Sequence, residues 1–415
     1  MPNILETTQY LLDEVFVRFV NYLSFAKVAN RNLEADFKSL QYATGQTINY
    51  RLEERYKGGR GATAVSEDRV QIFRPLTINT QFHTMVQFSG MELTFDRARD
   101  EPYLDMMLNP RAKTLANDVE LFIASENFQL QVYQAVGTPG VPITFETITE
   151  ADAYMTELGI PEDGNRYVAC PPRVAAGLAN DLQGVFNSSV NTGALIDGFI
   201  GHLSGFDFFK TNFLRRQIAG AGQAGGAPPA GFRLGGIVTN GPISTGNTIS
   251  VSGVVASTIV FREGDIIEVA DASNVFMVNP ITHLPLQQRA QFVVTADVTS
   301  TAGGTADIPV NPTIVASATN ARQNISAAIP NGAQMLLSLD HNVSIAFHNQ
   351  SIVFAAPPIK ELKGGVEAVT VYSDLYKMAM TYTLGADIQN YIQYDRIDMI
   401  GGVSINPEFA VIIRS

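Results

Sequence analysis

The 415-residue sequence has few of the residues that build disulfide-bonded or metal-bound structures. Its single cysteine, Cys170, excludes an intramolecular disulfide. Because Cys170 ends an apolar run directly before two prolines, we expect a buried and unreactive thiol. The five histidines are dispersed, and even the closest pair, His341 and His348, has no cysteine nearby. The sequence therefore predicts neither a metal site nor a cofactor.

Positive charge is also scarce. Lysine and arginine number 28 against 40 acidic residues, a formal net charge of −12, and no lysine occurs between Lys210 and Lys360. Free nucleic-acid binding is not predicted, because it needs a basic stripe that displaces counterions. The apolar N-terminus is interrupted by Glu6, Asp13 and Glu14, unlike a signal peptide. Since no apolar run is long enough to span a membrane, we expect an intracellular protein without membrane association.

Catalytic motifs are missing or lie in the wrong context. Residues 220–225 match the dinucleotide pattern GxGxxG, but no buried strand precedes them and Ala227-Pro228-Pro229 follows where a helix should begin. A flexible linker is the better interpretation. No phosphate-binding loop or nucleophile elbow occurs, and no set of nucleophile, base and orienting group can be assembled. An enzyme is therefore not predicted.

The segment between Gln46 and Phe88 is predicted to be a β-arm. Its second half alternates with period two, and its first half, Ile48 to Leu52, alternates as well. A turn rich in glycine and charge, Arg55 to Gly61, separates them. A two-stranded arm is marginal in water without a surface to lie on, so the pattern favours a subunit completed by its neighbours. The alternating residues are Leu76, Ile78, Thr80, Phe82, Thr84, Val86 and Phe88.

Several helices are predicted around this arm. Apolar residues recur at helical spacing from Leu11 to Leu23, which indicates an amphipathic N-terminal helix. A long helix is expected to begin at Asn109-Pro110 and to stop before Gly137. A shorter helix follows Thr149 and ends at Gly159-Ile160-Pro161. The segment Arg166–Cys170 is predicted to be a buried strand that leads into a further helix ending at Leu182.

The composition changes after Arg216. Residues 219–236 are mostly glycine, alanine and proline, which predicts a flexible joint. Short valine- and isoleucine-rich runs separated by turns then continue until the mixed composition returns near Met335. This spacing favours a small antiparallel β-barrel inserted into the chain. The predicted strands are centred on residues 249–251, 266–269, 292–295 and 308–310.

Read in order, these segments resemble the major capsid proteins of tailed bacteriophages, with the Hong Kong 97-like fold. The chain is most similar to the coat proteins of P22-type podoviruses. The similar stretches are Leu12-Asp13-Glu14-Val15, residues 111–121 of the long helix, Leu203-Ser204-Gly205-Phe206-Asp207, residues 346–350, and the ending from Ile400 to Ile412. The resemblance covers nearly the whole chain, including an inserted β-domain at the corresponding place.

The resemblance implies an α+β fold with the parts of a capsid subunit in a fixed order. These are an N-terminal arm (1–44), an extended loop (45–90), a spine helix and peripheral domain (91–148), a first axial part (149–216), the inserted barrel (217–334), a second axial part (335–371) and a return to the peripheral domain (372–415). The implied function is self-assembly into pentamers and hexamers of an icosahedral head around double-stranded DNA. The implied location is the virion, with assembly in the host cytoplasm.

The implied partners are other copies of the chain, a separate scaffolding protein, a portal protein and the packaged DNA, which is enclosed without sequence-specific binding. Asp13 and Glu14 are the candidate scaffold contact, in a short N-terminal arm that leaves no room for a built-in scaffold. The candidate inter-subunit contacts are Arg51, Glu53, Glu54, Arg55, Lys57, Arg60, Glu67, Asp68 and Arg69 of the extended loop. The alternative is a head-decoration or tail-tube protein, which would share the β-rich, acidic composition but would lack so long a helix.

Overall fold

The structure is a computed structural model and describes residues 4–31, 47–58, 71–89, 101–182, 201–222, 230–362, 366–373 and 376–415. A π-helical turn, Ala124–Phe128, continues the longest helix. The α-helices are α1 (Ile4–Tyr22), α2 (Phe25–Val28), α3 (Glu101–Ile123), α4 (Gln129–Gln131), α5 (Phe145–Glu157) and α6 (Pro172–Leu182).

The described residues also form 23 β-strands. Those before residue 300 are β1 (Thr47–Arg51), β2 (Phe73–Thr77), β3 (Thr80–Ser89), β4 (Ala135–Val136), β5 (Arg166–Cys170), β6 (His202–Leu203), β7 (Phe206–Lys210), β8 (Phe232–Thr239), β9 (Thr245–Ser252), β10 (Ile259–Phe261), β11 (Ile266–Val269), β12 (Phe276–Val278), β13 (Pro285–Arg289), β14 (Gln291–Val294) and β15 (Val298–Thr299). Those after it are β16 (Thr305–Val315), β17 (Gln334–Ser338), β18 (Val343–His348), β19 (Ile352–Ala355), β20 (Glu367–Ser373), β21 (Met378–Asp387), β22 (Ile392–Ile405) and β23 (Ala410–Arg414).

The chain forms two compact units and passes between them several times. The first unit contains the described parts of Met1–Tyr50, Phe73–Ala124 and Ile352–Ile405. The second contains the described parts of Arg51–Ile72, Ser125–Ser351 and Asn406–Ser415. Both mix helices with sheets, so the prediction of an α+β fold is confirmed.

The first unit is built around the long strand β22. Its first part pairs with β21 on one side and with β3 on the other, and its last residues pair with β19. The strand β3 has the predicted alternation, since Phe82, Thr84, Val86 and Phe88 are less exposed than the residues between them. A side chain every second residue faces the covered side of the sheet, which is why period two identified this strand.

The predicted two-stranded arm is only partly correct. The strands β1 and β2 pair with each other, but β3 belongs to the larger sheet through ten residue pairs with β22. The apolar residues Leu76 and Ile78 of this region are buried in a cluster with Val353, Ala355 and Ile400. They therefore contribute to a core of the chain itself, which local alternation alone could not reveal.

The long helix α3 starts at Glu101, so the predicted start at Asn109-Pro110 is wrong. Pro110 lies inside the helix at an exposed position. Proline removes one backbone hydrogen bond, and on an exposed face water can satisfy the carbonyl group that loses its partner. The helix therefore passes through a residue that usually marks a first turn.

The second unit contains a mixed sheet in the strand order β4-β23-β18-β5-β7-β6. The predicted strand Arg166–Cys170 is its member β5, and the predicted helix Pro172–Leu182 follows as α6. The stretch Leu203 to Asp207 makes a tight hairpin between β6 and β7, with positive φ angles at Ser204 and Gly205. The similar stretch at the chain end is not one strand, because Pro407–Phe409 forms a 3-10 turn between β22 and β23.

The helix α5 begins at Phe145, five residues before its predicted start directly after Thr149. Thr144 is its N-cap, and the hydroxyl groups of Thr144 and Thr147 satisfy each other's backbone N–H groups. This reciprocal arrangement is a capping box built from two threonines, whereas the usual sequence signature has Glu or Gln at the second position. The predicted stop at Gly159 is confirmed by its positive φ angle of 78°.

The inserted β-domain is present as a closed antiparallel barrel. Its strand order is β11-β14-β16-β9-β8-β17, and its interior is filled by buried valine, isoleucine, phenylalanine and methionine side chains. The last strand, β17, runs to Ser338, so the barrel continues past the predicted return of mixed composition near Met335. Met335 and Leu337 are buried inside it.

The predicted flexible joint at 219–236 is wrong at both described ends. Its last residues belong to the barrel strand β8. At its start, the backbone N–H of Gly222 donates to the carbonyl of Val260, and a Cβ atom on Gly220 would lie 2.2 Å from the same carbonyl oxygen. Glycine is required here by close packing, while residues 223–229 lie outside the described residues.

Candidate inter-subunit contact site

The predicted contact loop is described from Arg51, the last residue of β1, to Gly58, and residues 52–58 form neither helix nor strand. The N–H of Leu52 donates to the carbonyl of Ile72 at 3.0 Å, which holds the two sides of the loop base together. Arg51, Glu53 and Lys57 are exposed, and Tyr56 exposes 55% of its surface. Charged and aromatic side chains are therefore presented at the surface of the second unit.

Two of the predicted contact residues interact within the chain. The guanidinium of Arg55 lies 2.7 Å from the carboxylate of Glu408, and both side chains are about a quarter exposed. The ammonium of Lys57 donates to the carbonyl of Ala318. The hydroxyl of Tyr56 donates to Glu54 at 2.6 Å. An ion pair that stays in contact with solvent contributes only about 0–1 kcal/mol. These contacts therefore orient the loop but can be exchanged for contacts with another partner at little cost in free energy.

The other members of the predicted charged set are Arg60, Glu67, Asp68 and Arg69. They lie outside the residues that the structure describes. The spatial alternation of charges along the whole loop therefore stays a prediction.

The predicted scaffold contact lies on the helix α1. Asp13 is exposed, whereas Glu14 forms an ion pair with Arg18 at 2.6 Å, one helical turn away on the same helix. Leu12, Val15, Phe16 and Phe19 are buried, which confirms the amphipathic pattern. The two acids are thus not equivalent, because Asp13 is exposed whereas the carboxylate of Glu14 is paired with a cation on its own helix.

Sequence reasoning missed a buried carboxylate that fixes the end of this N-terminal segment. Glu120 of α3 is fully buried and accepts hydrogen bonds from the backbone N–H groups of Ser24, Phe25 and Ala26 at 2.8–3.0 Å. The hydroxyl of Ser24 donates to the same carboxylate at 2.6 Å. Burial raises the pKa of Glu120, and the four hydrogen bonds oppose that increase. The long helix therefore holds the chain that follows α1.

A second missed feature is an ionic cluster that joins the barrel to the sheet of the second unit. The guanidinium of Arg414, on the last strand, lies 2.8 Å from the carboxylate of Glu268 on β11. Gln291 donates to Glu268 at 3.1 Å and also exchanges two hydrogen bonds with the backbone of Ala135 on β4. Arg289 reaches Glu268 at 3.4 Å. Glu268, Gln291 and Arg414 are all at most 5% exposed.

The cluster also involves an aromatic ring and adjoins a cleft. The guanidinium carbons of Arg289 and Arg414 lie 5.7 and 5.6 Å from the ring centre of Phe232, within cation–π range. A polar cleft of about 440 Å³ is lined by these residues together with Glu150 and Asp271. No sequence signal pointed to this site, since Glu268 and Arg414 are 146 residues apart.

The barrel entry is fixed by one more buried carboxylate, Asp265. It accepts hydrogen bonds from the backbone N–H groups of Gly220 and Arg262 and from the side chain of Gln217, all at 2.8–2.9 Å. Burial outweighs these bonds and raises the pKa of Asp265 to about 6. The residues 217–220 are therefore attached to the β10–β11 turn.

Three further findings concern the cysteine, metal binding and membrane-spanning helices. Cys170 is buried, and burial raises the pKa of its thiol to about 11, as expected for an unreactive cysteine. Within the described ranges, no group of three or more His, Cys, Asp or Glu side chains is placed to hold a metal ion. Among the same residues, no helix is long and apolar enough to cross a membrane.

Comparison with known proteins identifies the class. A phage coat-protein family model matches residues 2–412, nearly the whole chain. The chain is therefore a major capsid protein of a tailed bacteriophage, a structural component of the virion capsid rather than an enzyme. It belongs to the family described as P22 coat protein, gene protein 5. No curated protein sequence matches the chain.

Solved structures provide distant likenesses only. A protein of Mycobacterium phage Che8 is 12% identical, with a TM-score of 0.48, and the alignment covers 94% of this chain and 90% of that one. A capsid structure of the cyanophage P-SCSP1u is 11% identical at a TM-score of 0.40, covering 90% and 84%. The mature capsid of bacteriophage PhiM1 is 8% identical at a TM-score of 0.40, covering 90% and 82%. The family assignment depends on the family model.

Proposed function

We propose that this coat protein assembles as pentamers and hexamers of an icosahedral head that encloses double-stranded DNA. The family match over residues 2–412 carries the proposal. The formal charge of −12 also supports it, because an acidic wall does not adhere to the packaged DNA. A portal protein completes one vertex, and the shell expands as it matures.

Expression of the chain with and without its neighbouring phage genes tests this function by electron microscopy. Closed shells tens of nanometres across are expected in the presence of the neighbouring genes. Monomers or open tubes under both conditions would instead favour the head-decoration or tail-tube alternative.

The contact loop is proposed to lie over a neighbouring subunit. Its members Arg51, Glu53, Glu54, Arg55, Lys57, Arg60, Glu67, Asp68 and Arg69 offer charges of both signs, and each exposed pair contributes about 0–1 kcal/mol. Weak pairs repeated over many subunits permit dissociation and correction of misplaced subunits. The intrachain pair of Arg55 with Glu408 supports this proposal, because it fixes the position of Arg55 before assembly while leaving the pair open to exchange.

Charge-swap variants of Arg55 and Glu408 distinguish the intrachain ion pair of Arg55 from a contact of Arg55 with a neighbouring subunit. Arg55→Glu is expected to reduce the yield of shells, most of all at low ionic strength. The double variant Arg55→Glu/Glu408→Arg restores the intrachain pair and is expected to remain impaired, because the partner on the neighbour is unchanged. Full recovery of assembly by the double variant would contradict the inter-subunit role.

A separate scaffolding protein is proposed to bind the exposed face of α1. Replacing Asp13 and Glu14 with Ala is expected to leave the subunit folded and to weaken scaffold binding at low salt. Asp13→Ala alone should account for most of the loss, since Glu14 already pairs with Arg18. Glu157→Ala, another exposed acid, is the matched control. Equal scaffold binding by the double variant and the control, measured by co-sedimentation, would remove this proposal.

A further inference from the structure

A cleft with both polar and apolar walls opens in the second unit beside the start of α6. Its volume is about 870 Å³, within the roughly 300–1,000 Å³ that is usual for ligand pockets. It lies between the segment before α5, the first turns of α6, the segment after β7 and the turn between β17 and β18. The cleft shares no lining residue with the polar cleft beside the ionic cluster, so the two are separate sites.

Two arginines in this cleft carry unpaired positive charges. Arg173 on α6 and Arg216 after β7 are both exposed, and neither forms an ion pair or a side-chain hydrogen bond with any described residue. The carboxylates of Asp340 and of the final residue Ser415 also line the cleft, but each accepts a hydrogen bond from a backbone N–H group, at 3.0 and 2.8 Å. The two guanidinium groups are therefore available to bind carboxylates of a partner.

A buried histidine in the wall of the cleft has an unused acceptor. His341 is 2% exposed, and its Nδ1–H donates to the carbonyl of Leu339 at 2.7 Å. Burial lowers the pKa of His341 to about 4, so the ring is neutral at pH 7 and Nε2 carries a lone pair. This Nε2 atom has no hydrogen-bond partner among the described residues. A buried acceptor without a partner is unfavourable, and a ligand that donates an N–H group here removes that cost.

The remaining walls suit a polypeptide segment. Pro142, Val174 and Leu214 supply apolar surface, while the exposed carboxamides of Asn212 and Asn342 offer both donors and acceptors, as a peptide backbone does. An extended peptide combines N–H donors for the imidazole, carboxylates for the guanidinium groups and apolar side chains for the wall. Two isolated cations do not form the basic stripe that nucleic-acid binding requires.

We propose that this cleft docks an extended acidic segment of a partner protein. Carboxylates of the segment pair with Arg173 and Arg216, its apolar side chains pack against the apolar wall, and one backbone N–H donates to Nε2 of His341. Recognition of acidic motifs by clustered arginines is a common mode of peptide binding. The docking does not depend on the formation of shells, so unassembled subunits can test it.

Fluorescence anisotropy with a defined peptide measures this binding. The probe is an end-blocked hexapeptide of alternating glutamate and leucine that carries an uncharged fluorophore. Unassembled subunits should bind it about tenfold or more tightly than a hexapeptide of alternating lysine and leucine. The binding should weaken as the salt concentration rises, because the guanidinium groups are exposed. Methylation of the peptide backbone nitrogens should also weaken it, since His341 then receives no donor.

Charge-matched variants locate the binding in the cleft. Arg173→Gln/Arg216→Gln should lower the affinity for the acidic peptide about tenfold or more. Its urea midpoint should match that of the wild type, because both side chains are exposed and unpaired. Lys113→Gln/Lys360→Gln removes the same charge at exposed positions outside the cleft and should bind the peptide as the wild type does.

Three results would overturn the proposal. The first is no binding of the acidic peptide, or binding no tighter than that of the lysine peptide. The second is equal affinity of the cleft variant and the lysine control for the acidic peptide. The third is self-association of the subunits that the acidic peptide reverses in analytical ultracentrifugation, since the cleft would then hold another copy of this chain.

Discussion

The ionic cluster at the base of the barrel gives a sharp prediction for subunit stability. Replacing Glu268 with Met leaves Arg414, which is 5% exposed, with only a long 3.4 Å contact to Ser338 among its described hydrogen bonds. Removing one partner of a buried ion pair typically costs about 3–5 kcal/mol, because the remaining charge is desolvated without compensation. We therefore expect Glu268→Met to reduce the free energy of unfolding of the second unit by about that amount.

Replacing the other partner should cost less. In Arg414→Met, the carboxylate of Glu268 keeps its contacts with Gln291 at 3.1 Å and with Arg289 at 3.4 Å. The loss should then be about 1–3 kcal/mol, close to that of a hydrogen bond to a charged group. Methionine also preserves part of the packing on Phe232. The double variant should be less destabilised than the sum of the single variants, because it leaves no unpaired guanidinium.

Urea unfolding of unassembled subunits measures this cycle. The chain has no tryptophan, so circular dichroism and tyrosine fluorescence are the suitable signals. Glu126→Met is the control, since its 3.9 Å pair with Arg215 is more than half exposed and should contribute less than about 1 kcal/mol. Additive losses, or an equal cost for Glu268→Met and Arg414→Met, would refute the reasoning.

Three further predictions concern the other buried anchors. Glu120→Ala removes the acceptor of four hydrogen bonds and should reduce the free energy of unfolding by about 2–4 kcal/mol. The variant should also be cleaved faster by proteases near Ser24. An unchanged cleavage rate would contradict the anchoring role of Glu120. The pKa of Asp265 is about 6 in the folded protein and 3.8 for the ordinary group, so the folded state holds this proton more tightly than the unfolded state. The contribution of Asp265 to the free energy of unfolding is therefore greatest below about pH 4. It decreases by about 3 kcal/mol as the pH rises to 6. The stability of the wild type relative to Asp265→Asn should therefore fall between pH 4 and pH 7, and a constant difference in urea midpoints would refute this. Gly220→Ala places a methyl group against the carbonyl of Val260 and should destabilise the barrel, whereas a flexible joint would tolerate it.

Local patterns predicted the elements that local physics determines. The burial of Phe16 and Phe19 follows from helical spacing, and that of Phe82 from alternation, because each pattern reflects one covered face. The barrel strands were predictable for the same reason, since valine and isoleucine runs between turns suit short buried strands. The start of α3 was not predictable from Pro110. A helix tolerates an internal proline when that position faces water, and the sequence alone does not show which face of α3 is exposed.

The residues that hold distant segments together could not be predicted from the sequence. Glu120 binds a segment 94–96 residues away in the sequence, and Arg414 pairs with Glu268, which is 146 residues away. Single charged residues in apolar surroundings carry no periodic signal, and their partners are defined only by the folded topology. In the candidate contact loop, the charged composition correctly indicated exposed residues. The pairing of Arg55 with Glu408 could not be predicted, because it depends on the fold.

A cryo-electron microscopy reconstruction of particles assembled from this chain tests its assignment as an icosahedral coat protein most directly. We expect closed shells in which copies of the chain occupy both pentamers and hexamers. Particles that lack five-fold capsomers, or shells in which this chain is present only as an added outer layer, would contradict the assignment.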